Sequence, residues 1–430
     1  MKKIISLVYI IIVLALLSAC TGNKDQQPIS KTDNTAAPAE QSYAYDPETD
    51  VDNRYTRAQC CITELDNMFV WHEIMSGPFY FYDKETGFNG VLCNKPECDH
   101  RSVGCNGAAS AMPMVCYYEG KLYWLVPWSS DMDYYIYRMN PDSTERELFM
   151  TIPFDEDGSV QLQRMYIHRG KIYIVNSFQR VKEGNPIRSF VISVCDFDTH
   201  DASTLKPIFE LETGGAFPYQ MYFAGDEVFL MANTYIDGQY KLTVLRYNAA
   251  EDVTSTAADI VLDDEDYETY SFVVTKEGEM LVGQSMAYFG QETRAYRIVD
   301  NRLEAFMDFA DDETEWCDVI VEEDVIFSIS VFNDEPRQFA IWIKDYDGNT
   351  VYKGLLSTHY KDNLPAEYNE FSAYEFFGAS NDRILAVLAE EARGEESIKG
   401  IAYFFVEYDI TENGLEEKTL VTYYEKASME

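Results

Sequence analysis

Basic residues are scarce in this sequence: 34 lysines and arginines stand against 74 aspartates and glutamates, a formal net charge of −40. A field of that sign repels phosphate backbones and anionic headgroups, so nucleic acid is not an expected partner. Neutral or cationic ligands are favoured on charge, although the acid can equally serve only to keep the chain soluble. Histidine is scarcer still, at five positions: His72, His100, His168, His200 and His359. Sustained helical periodicity is lacking. There is no Gly-x-Ser-x-Gly elbow, no His-Glu-x-x-His, no phosphate loop and no sialidase-like Ser-x-Asp-x-Gly-x-Thr-Trp. Carboxylate pairs for glycoside cleavage stay open, because 74 acids always allow some pairing in space.

What is present begins at the N-terminus. Lys2 and Lys3 precede an apolar run from Ile4 to Leu17, which Leu17-Ser18-Ala19-Cys20 closes with small residues before a cysteine. The run is short for a membrane span and has the anatomy of a signal peptide. It resembles the lipobox of bacterial lipoproteins. That implies a signal peptide over 1–19, diacylation at Cys20, and a mature chain held at the extracellular face of the cytoplasmic membrane. Two acyl chains, at about 0.8 kcal/mol per buried methylene, give stable anchoring where one is marginal. Residues 20–52 hold few large apolar side chains and read as a lipidated flexible linker with a reach of roughly 30 Å.

Residues 53–430 carry 32 tyrosines and 25 phenylalanines between them and the preceding stretch, a composition that favours strands. A short unit recurs about every 50 residues. In it, an aromatic or β-branched strand meets a tight turn, a second alternating strand follows, and a third comes after a polar loop. Tyr117 to Leu125 followed by Tyr135 to Asn140 is one copy; Tyr166 to Val175 followed by Val191 to Asp196 is another. Asp66, Gly120, Gly170, Gly225, Gly278, Asp324 and Asp382 mark the turn in seven copies. The spacing predicts an all-β fold, a β-propeller of seven blades, with six or eight also compatible. A lone four-stranded sheet leaves both faces bare, whereas radial stacking buries them. The stretch Leu420 to Tyr424 is expected to complete a blade begun near Tyr55 and so to close the ring.

One segment interrupts the repeat. Cys93, Cys98, His100 and Cys105 are spaced C-x4-C-x-H-x4-C, on a loop at 93–105 between the first and second copies. Three thiols and an imidazole on a compact loop can make a tetrahedral, structural zinc site. The spacing matches no common zinc module, and a disulfide staple between two of the cysteines is the rival reading in an oxidising compartment. Cys116 lies close enough in sequence to pair with the cluster. Cys60 and Cys61 face opposite ways on a strand, and Cys195 and Cys317 fit buried apolar positions. The acidic runs at Asp155–Gly158, Asp263–Asp266 and Asp311–Glu313 read as solvated loops, and Asp345–Asn349 as a hairpin turn.

Tyr80 to Gly87 followed by Leu92 to His100 resembles a segment of uncharacterised propeller surface lipoproteins from clostridia-like bacteria. The repeat is more loosely similar to TolB-like propellers. The resemblance implies fold and location and brings no catalytic residues. The expectation is a non-enzymatic surface module that binds a peptide, glycan or protein of the envelope. The alternatives are an extracellular polysaccharide hydrolase or lyase with paired carboxylates in an open axial mouth, and a metal-handling surface protein using the Cys/His loop.

Overall fold

Seven four-stranded antiparallel sheets, each built from one continuous stretch of chain, make up the computed structural model. The structure describes residues 45–426, except 57–61, 73–77, 101–103, 109–114, 127–132, 154–158, 183–184, 214–218, 237–238, 263–267, 286–292, 311–315, 317, 333–337, 379–381, 394–397 and 413. Cys20, the signal segment, Cys60, Cys61, Cys317 and the three acidic runs lie outside the described residues. The blades span 62–91, 115–152, 159–213, 219–261, 268–309, 318–355 and 368–426. The protein is a seven-bladed β-propeller.

Burial grades across each sheet. The first strand of blade 4, Tyr219–Ala224, is buried at every position, whereas the fourth strand of blade 6, Thr350–Leu355, is exposed or half-buried throughout. First strands of successive blades approach one another, as those of blades 1, 2 and 3 do. The first strand therefore lines the axis and the fourth forms the rim. The core is a ring of apolar layers between neighbouring sheets. Phe79, Leu92, Leu122 and Trp124 fill the layer between blades 1 and 2, and Phe69, Trp71, Leu385 and Phe405 the one between blades 7 and 1. This is why the inner strands carry apolar residues on both faces.

In blades 2 to 7 the pairing of third and fourth strands shifts register once, as at Ile136/Tyr137 and Val244/Leu245. Such bulges raise local twist, which splays the rim away from the axis. Blade 1 has no such shift, and its four strands are only three or four residues long.

Closure differs from the expectation. The last strand, Gly414–Lys426, pairs with Ile398–Thr411 inside blade 7 and adds nothing to blade 1. The ring closes by side chains at a seam between blades 7 and 1. Asp345–Asn349 is the hairpin turn expected, with Asp345 N–H donating to Asn349 O at 3.0 Å.

Residues 46–56, most of them within the span read as linker, belong to the folded body. They pass across the axis on the side of the first hairpin turns. Glu119 N–H donates to Glu48 O and Arg169 N–H to Thr49 O, at 2.9 and 2.8 Å. The Asn53 amide clips the Phe223 backbone with two hydrogen bonds of 2.8 Å. Further in, Arg164 and Tyr166 donate to Thr56 O at 3.0 and 3.2 Å. Beside this strap, toward blades 5 and 6, lies a cavity of about 190 Å³ lined in part by Tyr222, Glu323 and Tyr346.

Candidate metal centre

The Cys/His loop leaves the short outer strand of blade 1 (Asn89–Val91) and is pinned at both ends to one edge. Leu92 N–H donates to Phe79 O at 2.7 Å, and Phe79 N–H to Gly107 O at 2.8 Å. Pro78 and Ala108 form an isolated bridge beside them. The two ends meet so closely that a Cβ on Gly107 would stand 2.5 Å from Leu92 O, a backbone atom that cannot step aside. Only glycine fits there.

Within the loop, Cys98 N–H turns back to Lys95 O at 3.1 Å, across Pro96. His100 takes a left-handed backbone, φ 59°, a conformation that histidine tolerates better than most residues. Lys95 Nζ donates to Gly104 O at 2.5 Å, and Asn106 Nδ2 to Asn94 Oδ1 and to Ser143 O of blade 2. Arg146, also of blade 2, donates to Cys105 O and lies over the rings of Trp124 and Tyr137 at 5.5 and 5.0 Å. The loop is thereby wedged between blades 1 and 2, where the short first blade leaves room.

The result is convergence. One donor atom from each of Cys93, Cys98, His100 and Cys105 lies within 4.8 Å of the other three. His100 Nδ1 is 3.5 Å from Cys105 Sγ. A tetrahedral zinc with Zn–S near 2.3 Å sets its ligands about 3.8 Å apart, so a small contraction would close the set around one ion. The three thiols are free, with no disulfide among them. Burial works against a Cys93 thiolate, but the Lys95 and Asn106 amides and the Cys105 and Cys98 thiols donate to it and bring it down to about 6. Burial, with the neighbouring Cys93 and Cys98, pushes Cys105 up to about 12. Amides aimed at sulfur stabilise the charge that a metal-binding thiolate carries. Three thiolates and an imidazole are a donor set for zinc, and all four tetrahedral positions would be taken by protein.

The four residues picked from spacing therefore meet at one point. Cys116 does not join them: its thiol donates to Met165 O at 3.2 Å, between blades 2 and 3, and burial pushes it up to about 12. Cys195 is buried, as its strand position implies. Sequence reasoning missed the partners in blade 2. Arg146 and Ser143 sit in a turn with no motif, and only their neighbourhood to aromatic strands could have flagged them.

Carboxylates are the other candidates for chemistry. Asp50 pairs with Arg169 at 2.7 Å, and Glu64 with Lys84 and Arg383 at 2.8 and 3.0 Å. Glu227 pairs with Arg246, Glu390 with Lys361, and Glu391 with Arg393. Each of these five acids, Glu64 half-buried and the others buried, faces a cation, whereas Glu323 beside the cavity accepts the Tyr222 hydroxyl at 3.0 Å.

No family model matches the chain, and no curated protein matches it. Solved structures resemble it at low identity. An ulvan lyase, a polysaccharide lyase bound to a glucuronate–sulfated-rhamnose ligand, is 11% identical with a TM-score of 0.49 over 86% of this chain and 96% of that one. The propeller domain of the Trilobed protease from Pyrococcus furiosus, described as having open velcro topology, is 8% identical with a TM-score of 0.42 over 84% and 95%. An oligogalacturonate lyase in complex with manganese is 9% identical with a TM-score of 0.44 over 74% and 81%. Their activities are properties of those proteins.

Proposed function

We propose that this chain is an exported, lipid-anchored propeller that binds or presents an envelope ligand without chemically changing it. The observation that carries the reading is the strap. Residues 46–56 occupy the axis on the side of the first hairpin turns, where an axial enzyme would gather free carboxylates around a substrate. The buried acids described above are committed to structural ion pairs, and a four-ligand metal site has no open position for a reacting water. In this reading the lipobox-like segment places the lipid on Cys20 and the body outside the cytoplasmic membrane. The zinc held by Cys93, Cys98, His100 and Cys105 is structural and compensates for the short first blade.

The test is a panel of envelope polysaccharides and peptides offered to the purified full chain, with binding and product release followed together. Saturable binding to one class with no product supports the reading. Release of shortened or unsaturated sugars from any polysaccharide would replace it with a hydrolase or lyase. Radiolabelled palmitate incorporated in the parent and absent from Cys20→Ala tests the anchor separately.

A further inference from the structure

A propeller whose blades are all drawn from contiguous chain has a weak point, because nothing covalent or β-paired joins the last blade to the first. Here the seam lies between blade 7 and blade 1. Side chains tie it together. Asn89 Nδ2 reaches Leu420 O at 3.5 Å, and Arg383 holds Glu64 with two bonds of 3.0 Å. The strap also touches this seam. Arg54 stands 3.0 Å from Glu64 and 2.5 Å from Asp52, so the carboxylate at the end of the first strand is shared by the strap, blade 1 and blade 7. The Tyr55 hydroxyl donates to the same Glu64 at 3.0 Å. The Tyr55 ring is buried among the apolar residues of blades 1 and 7, and a Cβ on Gly378 in the first turn of blade 7 would lie 3.5 Å from its hydroxyl. The other end of the strap is tied to blades 2, 3 and 4 through Glu119, Arg169, His168 and Phe223.

We propose that residues 46–56 are a clasp: they close the ring in place of a shared strand, by binding blades 2 to 4 and locking blade 1 to blade 7 through Tyr55 and the Arg54–Glu64–Arg383 cluster. A clasp acts on the seam more than on the rest of the ring, which separates it from an ordinary surface contact. The inference does not depend on lipidation or on any ligand.

Hydrogen exchange of the purified full chain reads this directly, because local opening shows as loss of protection confined to one region. In Arg54→Ala/Tyr55→Ala, amides of the first strands of blades 1 and 7 (Ile62–Glu64 and Tyr368–Phe377) are expected to exchange at least about tenfold faster. Those of blade 5 (268–309), which faces the strap across the cavity, are expected to keep their rates. Arg54→Lys, which keeps the charge, is expected to retain most of the protection. Single Arg54→Ala gives the same pattern at smaller amplitude if the double variant does not fold. Unchanged protection at the seam, or an equal loss in all seven blades, would overturn the clasp.

Discussion

Arg383 and Glu64, 319 residues apart in the chain, meet through two hydrogen bonds of 3.0 Å at the junction of the last and first blades. Glu64 also receives Lys84 at 2.8 Å, and its side chain is 10% exposed. Removing one partner of a buried pair leaves the other uncompensated, at a cost of about 3–5 kcal/mol. Because Lys84 and Arg54 still face Glu64, Arg383→Ala should lose less than that, about 1.5–3 kcal/mol, in urea unfolding. Arg383→Ala combined with Glu64→Gln should lose less than the two single losses added, since the pair is coupled.

The same carboxylate sets an acid limit. Burial pushes Glu64 up, but Arg54, Lys84 and Arg383 outweigh it and hold it at about 2 against an ordinary 4.5. A carboxyl lowered on folding stabilises the folded state above its unfolded value. That contribution is lost as pH falls from about 4.5 toward 2 and amounts to about 3 kcal/mol. Thermal unfolding followed against pH should show this loss in the parent and a flatter profile in Glu64→Gln.

His168 gives a second, milder window. Its Nδ1 accepts the Val51 N–H at 3.1 Å, and its Nε2 donates to Gly225 O at 2.7 Å, so the ring is held neutral. Burial pushes it below the ordinary 6.5, outweighing the pull of Asp50. A base lowered on folding takes up its proton first in the unfolded chain, so stability should fall as pH drops below about 6.5. His168→Gln should remove that slope while leaving the Glu64 window in place.

Gly107 is a test of packing rather than charge. An alanine there would force its Cβ to within 2.5 Å of Leu92 O. Gly107→Ala should cost about 1–3 kcal/mol, the range of overpacked interiors, and should weaken metal binding because both ends of the loop shift. Denaturant midpoints with and without added zinc check both effects.

Much of this was legible in the residues. Recurrent turns such as Glu119-Gly120 and Arg169-Gly170 between aromatic strands gave the blade count, because each blade must bury both faces of its inner strands. The outer strand Val253–Val261 is hidden, since most of its side chains face solvent and carry no sustained apolar alternation. The four clustered Cys/His donors were readable because their spacing confines them to one short loop. Closure was misread: Leu420 to Tyr424 looks like any strand, and pairing partner is not written in strand composition. The strap's first part falls in the span read as linker because Asp46 to Asp52 is polar. Its order comes from backbone and Asx hydrogen bonds to distant turns, which leave no periodic trace; Tyr55 beside Arg54 was the one local hint.

Cys93, Cys98, His100 and Cys105 are proposed to hold a single metal ion that fastens the first two blades. The most direct measurement is the metal content of anaerobically purified full chain, with thiol counts on the same sample. The account predicts one zinc per chain, retained through gel filtration, lost in Cys98→Ser, weakened in His100→Ala, and a lower melting temperature once a chelator removes it. A chain that holds no zinc when zinc is supplied, or that keeps its zinc in Cys98→Ser, would contradict it.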